Sequence, residues 1–222
     1  MILLLVVFLT SVYVLRYLRN ETFSSLEDHP PVKFKAFFIN MDESVERRDS
    51  FLAAYDGDIE RVPGIRVGDI NTGRIGKGLY GCGLAHALLM QRIGDMDEGW
   101  YGVFEDDARG DFKGIGANRI VRNIVARTSK QFINLSNGGN GQRPEYSLNF
   151  VYNCMIGYLI TPLGARTTSA LILKNLDKQA CDAITDVYLR NPLPPFPGNG
   201  IGCYVKLIGV SGSPSVIESF GR

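Results

Sequence analysis

The chain has 222 residues with 45% apolar and 21% charged side chains, proportions that suit one folded domain with a sizeable core and exclude both a disordered chain and a pair of full catalytic domains. Its formal net charge is +1, and its Lys and Arg residues are spread without a long basic run, so the electrostatic footprint of a nucleic-acid binder is missing. Cys82, Cys154, Cys181 and Cys203 form no C-x-x-C pair and the chain has only two histidines, which argues against a structural zinc site; buried thiols are the expectation, with disulfides left open in an oxidising compartment.

At the N-terminus, MILLLVVFLTSVYVLRYLRN is apolar from Ile2 to Leu15, carries Arg16 and Arg19 after that, and has no small-residue cleavage site. Residues 1–19 read as a membrane anchor, with Tyr17 and Leu18 lengthening the run toward the ~20 residues of a full span and Arg16 snorkelling. The arginines after the run keep that side cytosolic by the positive-inside rule, whereas sequons at Asn20 and Asn134 point to a lumen, and the orientation stays open. Residues 20–32 are polar and end in Pro30 and Pro31, which suits a stalk containing His29; residues 33–222 form the domain.

The domain starts with VKFKAFFIN, β-branched and aromatic as a buried strand is, and ESVERRDSFLAAY follows with the spacing of a helix. IERVPGI reads as a second strand, residues 64–78 as a glycine-rich connection, and LYGCGLAHALLMQRI as a helix. WYGVF is the next strand, ANRIVRNIVART a helix and QFINL a strand. NLSNGGNGQRPEY is a glycine-rich, polar loop, after which NFVYNCMIGYLIT gives a strand. Thr161 caps and Pro162 opens the helix LGARTTSALIL. KQACDAITDVYL is one more helix, PLPPFPGNG a loop and CYVKLIGV a last strand. Strands alternating with helices predict an α/β fold with a mostly parallel central sheet flanked by helices, whose ligands gather beyond the carboxyl ends of the strands.

At one such end stand Glu105, Asp106 and Asp107. Adjacent carboxylates there can hold a hard divalent cation, Mn²⁺ or Mg²⁺, that also takes phosphate oxygens. The competing reading is a solvated acidic turn beside Arg109 and Lys113.

Four blocks in order bear on that choice. FFINMDESVERRDSF, GCGLAHALLM, YGVFEDDA and IGYLITPLGA resemble the blocks of glycosyltransferase family 25, the bacterial lipooligosaccharide and animal procollagen galactosyltransferases, across about residues 34–190. The resemblance implies a GT-A type fold and inverting transfer of a sugar, galactose from UDP-galactose being typical, to a glycan or protein hydroxyl. It places a divalent metal at Asp107 and Glu105 and the donor diphosphate beside Glu105 and Asp106. Asn40, Arg47 and Arg48 match the first block, near the nucleotide; an arginine there forks onto phosphate, and a surface ion pair with Glu43 or Glu46 is the alternative for one of the two. His86 matches a site histidine, against the alternative of a hydrogen-bonded core residue. Asp186 matches the expected general base, and Asp182, one helical turn earlier, is its competitor; exposed helix charge is the alternative for both. Ala85 stands where the family has serine, which keeps open a second class, a catalytically silent relative serving adhesion or scaffolding.

Overall fold

The computed structural model describes residues 23, 25–68, 72, 76–136, 146–147, 155–176 and 202–210. Among the described residues, eight strands, β1 (Phe34–Asn40), β2 (Ile59–Pro63), β3 (Trp100–Glu105), β4 (Ala108–Gly110), β5 (Phe132–Ser136), β6 (Tyr146–Ser147), β7 (Gly157–Ile160) and β8 (Gly202–Val210), form one sheet. The order is β2-β1-β3-β7-β5-β8-β4, with β6 on β8. The helices are α1 (Val45–Ala54), α2 (Lys77–Gly94), α3 (Arg119–Arg127) and α4 (Pro162–Lys174).

Alternation along β1 and β3 builds two cores, because successive side chains of a strand point to opposite faces. Phe37 and Val103 go to one face, with Ala87, Met90 and Ile93 of α2 and Ala165 and Ile172 of α4. Phe38 and Phe104 go to the other, with Phe51 of α1 and Ile120, Val121 and Ile124 of α3. Phe51 stacks on Phe38 at 4.9 Å between centroids and meets Phe112 edge-on at 5.2 Å, an aromatic knot that fixes α1 over β1 and β3.

The α/β class, one central sheet with helices on both faces, is the one anticipated, but the sheet is mixed rather than mostly parallel. The ladders β1–β2, β1–β3 and β5–β8 are parallel, whereas β3–β7, β5–β7, β4–β8 and β6–β8 are antiparallel. Parallel neighbours need a long crossover, usually a helix. The sequence between β5 and β7 reads as loop and strand without a helix, and those two strands pair antiparallel.

Helix ends follow local chemistry. Asn118 caps α3, its side-chain oxygen accepting from the N–H groups of Ile120 and Val121 at 2.9 and 3.2 Å. Thr161 caps α4 by accepting from Gly164 N–H at 3.2 Å, with Pro162 in the first turn.

Residues 25–32, anticipated as part of a stalk, lie against the domain. Glu27 N–H donates to Asn123 Oδ1 at 3.0 Å and Asn123 Nδ2 donates back to the Glu27 carbonyl at 2.8 Å. His29 Nε2 stands 3.6 Å from Glu27 Oε2. Among the described residues no helix is long and apolar enough to cross a membrane. The anchor assigned to residues 1–19 lies outside the described residues, as do Cys154, Cys181 and the helix KQACDAITDVYL.

Candidate functional site

The strands β1, β2 and β3 run parallel and end together, so Asn40, Pro63 and Glu105 finish side by side. The pairing of β1 with β3 continues past Glu105, with Asp106 N–H donating to the Ile39 carbonyl at 3.2 Å. The chain then turns through Asp106 and Asp107 into β4. The acids therefore occupy a turn, but a buried one: Asp106 is 5% exposed and Asp107 is 6%.

Two residues of the first block hold that turn. Asn40 Nδ2 donates to Asp106 Oδ2 at 2.7 Å and to the Ser44 carbonyl at 3.0 Å, which ties the end of β1 to both the acids and the start of α1. Arg47, in the first turns of α1, pairs through Nη2 with Asp106 Oδ1 and lies 3.5 Å from Asp107 Oδ2. Arg61 of β2 donates from Nε to Asn40 Oδ1 at 3.0 Å and so fixes the Asn40 amide orientation.

The electrostatics are unfavourable for three negative charges. Burial holds the Asp106 carboxyl above the usual range, opposed by the Asn40 hydrogen bond and the Arg47 charge. Asp107 is pushed up to about 6, first by burial and then by the Glu105 charge. Asp107 Oδ1 is buried with no hydrogen-bond partner among the described residues. An orphaned buried carboxylate oxygen beside further carboxylates is a place where a cation would supply the missing interaction.

Glu105 looks elsewhere. Its Oε1 stands 3.2 Å from His86 Nε2 and 3.9 Å from Cys82 Sγ, and His86 Nδ1 is 3.0 Å from Tyr158 Oη. His86 is 1% exposed on α2, while Cys82, one turn before it, is half-buried rather than buried as expected. The helix register turns Cys82 and His86 to the same side, toward the cleft instead of the core.

Asn40, Arg47, Cys82, His86, Glu105 and Asp106 line a cleft of about 230 Å³ between the strand ends and the first half of α2, with Asp107 outside the lining. Its rim carries Arg66 and the α2 N-terminus with Lys77 and Gly78. Arg66 pairs with Glu43 at the surface. Gly81 permits the close approach that shapes this wall: a Cβ there would stand 2.2 Å from the Ile65 carbonyl oxygen.

Of the residues anticipated for the site, the structure brings together Asn40, Arg47, Glu105, Asp106, Asp107 and His86. Arg48 is elsewhere, in a surface pair with Asp49 at 3.2 Å, the fate foreseen for one of the two arginines though with a different acid. Asp182 and Asp186 lie outside the described residues. Sequence reasoning passed over Arg61, Arg66, Lys77, Cys82 and Tyr158 as site residues. Two bases in a glycine-rich segment leading into a helix are a phosphate-binding signal that was available for Arg66 and Lys77; Tyr158, inside an apolar strand, offered none.

No family model matches the chain, and no curated protein matches it. Among solved structures, it is similar to a glycosyltransferase involved in the glycosylation of the major capsid of PBCV-1, with a TM-score of 0.47 and 9% sequence identity over 83% of this chain and 95% of that chain. A likeness of that degree carries neither activity nor substrate across.

Proposed function

We propose that this chain is a glycosyltransferase that binds a nucleotide-sugar in the cleft and moves its sugar, with inversion, to a hydroxyl of a glycan or protein. The observation that supports the reading is one juxtaposition. Glu105 and Asp106 share a cleft with Arg66, Lys77 and the N-terminus of α2, so carboxylates that suit a metal stand near cations and backbone N–H groups that suit a diphosphate. The order of the four sequence blocks makes UDP-galactose the donor to test first.

A divalent ion, Mn²⁺ or Mg²⁺, fits the acids, because Asp107 Oδ1 has no partner and Asp107 carries a raised pKa beside Glu105. Glu105 and Asp107 would hold it, and it would supply charge neutralisation for the departing nucleoside diphosphate. The chain's own groups do the positioning. Arg47 and Asn40 lock Asp106 in the turn and thereby set the direction of its two neighbours. Arg66 and Lys77 attract the phosphates, Arg66 exchanging its surface pair with Glu43 for the ligand. The general base that takes the acceptor proton is Asp186 or Asp182 by the family resemblance.

The test is donor hydrolysis. The purified chain with Mn²⁺ and a panel of nucleotide-sugars should release nucleoside diphosphate from one donor class without any acceptor. Absence of release together with absence of metal-dependent nucleotide binding would remove the enzymatic reading and favour the silent relative.

A further inference from the structure

A second set of donor atoms stands in the same cleft, separate from the Arg47 network. Cys82 Sγ, His86 Nε2 and a Glu105 carboxylate oxygen lie within 4.8 Å of one another. Nε2 is 3.2 Å and Sγ 3.9 Å from Oε1 of Glu105. Around a tetrahedral zinc, with bonds of roughly 2.0–2.3 Å, ligand atoms stand roughly 3.3–3.5 Å apart. Even an edge at the 4.8 Å limit closes by about 1.3 Å to reach that spacing.

The surroundings prepare the set for a metal. Cys82 and His86 are four residues apart on α2 and share a face, and Glu105 comes to them from the end of β3. His86 is 1% exposed, with Nδ1 3.0 Å from the Tyr158 hydroxyl. When Nδ1–H donates to that hydroxyl, Nε2 presents its lone pair to Cys82 and Glu105, the outer hydrogen bond that orients a metal-bound histidine. All three side chains line the open cleft, so a fourth coordination position on a metal held by them would face the ligand space.

We propose that Cys82, His86 and Glu105 form a zinc-binding site with one open coordination position. A thiolate with an imidazole selects zinc over the hard cations suited to an all-carboxylate set. Three protein ligands and an open position differ from the closed four-ligand structural site that the cysteine spacing argued against. Binding deprotonates the Cys82 thiol and releases that proton to solvent. The site shares Glu105 with the metal set of the proposed transferase, but it is probed with metal alone, so its failure is distinguishable from the failure of that reading.

The purified full chain, reduced and stripped of metal by a chelator, is titrated with Co²⁺ and then Zn²⁺ without nucleotide. One equivalent of Co²⁺ should bind with a thiolate-to-cobalt charge-transfer band, and one equivalent of Zn²⁺ should displace it. Cys82→Ser should lose the band and bind zinc at least tenfold more weakly; Tyr158→Phe should keep the band and weaken zinc roughly 10–100-fold. In the unmodified chain, zinc should also protect Cys82 from alkylation, read by peptide mass spectrometry. No stoichiometric zinc binding, a cobalt complex without the band, a band that survives in Cys82→Ser, or alkylation of Cys82 indifferent to zinc would each overturn the site. The alkylation result holds whether or not the serine variant folds.

Discussion

Asp107→Asn separates what the acidic turn does for stability from what it does for function. In the metal-free protein Asp107 is ionised at neutral pH although its folded pKa is about 6 against an ordinary 3.8, because burial and the Glu105 charge both oppose ionisation. The sign follows from linkage: the folded state binds the proton more tightly than the unfolded one, so stability falls as pH rises from about 4 to about 6 and is flat above. At 1.36 kcal/mol per pH unit, the interval from 3.8 to about 6 corresponds to about 3 kcal/mol of destabilisation at neutral pH. Asparagine keeps the shape without the charge, so the variant should gain between about 1 and 3 kcal/mol at pH 7.5. Near pH 4.5, where the folded carboxyl is already protonated, the gain should shrink to about a third of its value at pH 7.5. Urea unfolding of both proteins at the two pH values, with chelator present, measures this. Metal-dependent nucleotide-sugar turnover should be lost in the same variant. A loss of stability at pH 7.5 would refute the reasoning, since it would mean that Arg47, 3.5 Å from Asp107, outweighs burial and holds the carboxylate charged at a profit.

Two further perturbations address the cleft walls. Gly81→Ala places a methyl 2.2 Å from the Ile65 carbonyl oxygen, so the gain in helix propensity of about 1 kcal/mol should be outweighed by a strain of about 1–3 kcal/mol, read by urea unfolding. A net stabilisation would show that the segment at Ile65 moves aside freely. Arg66→Ala and Lys77→Ala should each weaken nucleoside diphosphate binding roughly tenfold and make it less salt-dependent, as measured by calorimetry at two ionic strengths. Unchanged affinity in both would place the phosphates elsewhere.

The parts of the fold that were legible in the sequence are those written in local periodicity. Phe37 and Phe38 announce a strand buried on both faces, and Thr161–Pro162 announces a helix start; both are found. The strand β4 was not legible. Ala108–Gly110 carries no strand signal of its own and is extended because β8, about a hundred residues later, pairs with it. The same holds for the antiparallel β7, whose partners β3 and β5 decide its direction. Hydrophobic alternation states that a strand exists, and only pairing at long range states which way it runs.

The site divides along the same line. A run of three acids is visible in any reading, but its alternatives, a wet turn or a held cluster, differ only in burial. Burial here is imposed by Asn40 and Arg47, 66 and 59 residues away from Asp106 in the chain. Each contact is a side-chain hydrogen bond that leaves no periodic trace in the sequence. The arrangement is costly in isolation, since two adjacent buried carboxylates with raised pKa values share one arginine while a third, Glu105, stands next to them in the chain. A fold that needed only a turn between β3 and β4 would be more stable with neutral residues at those positions. That cost is what the proposed cation would offset, and Glu105, which the structure places with Cys82 and His86, is the carboxylate that the two proposed metal sets share.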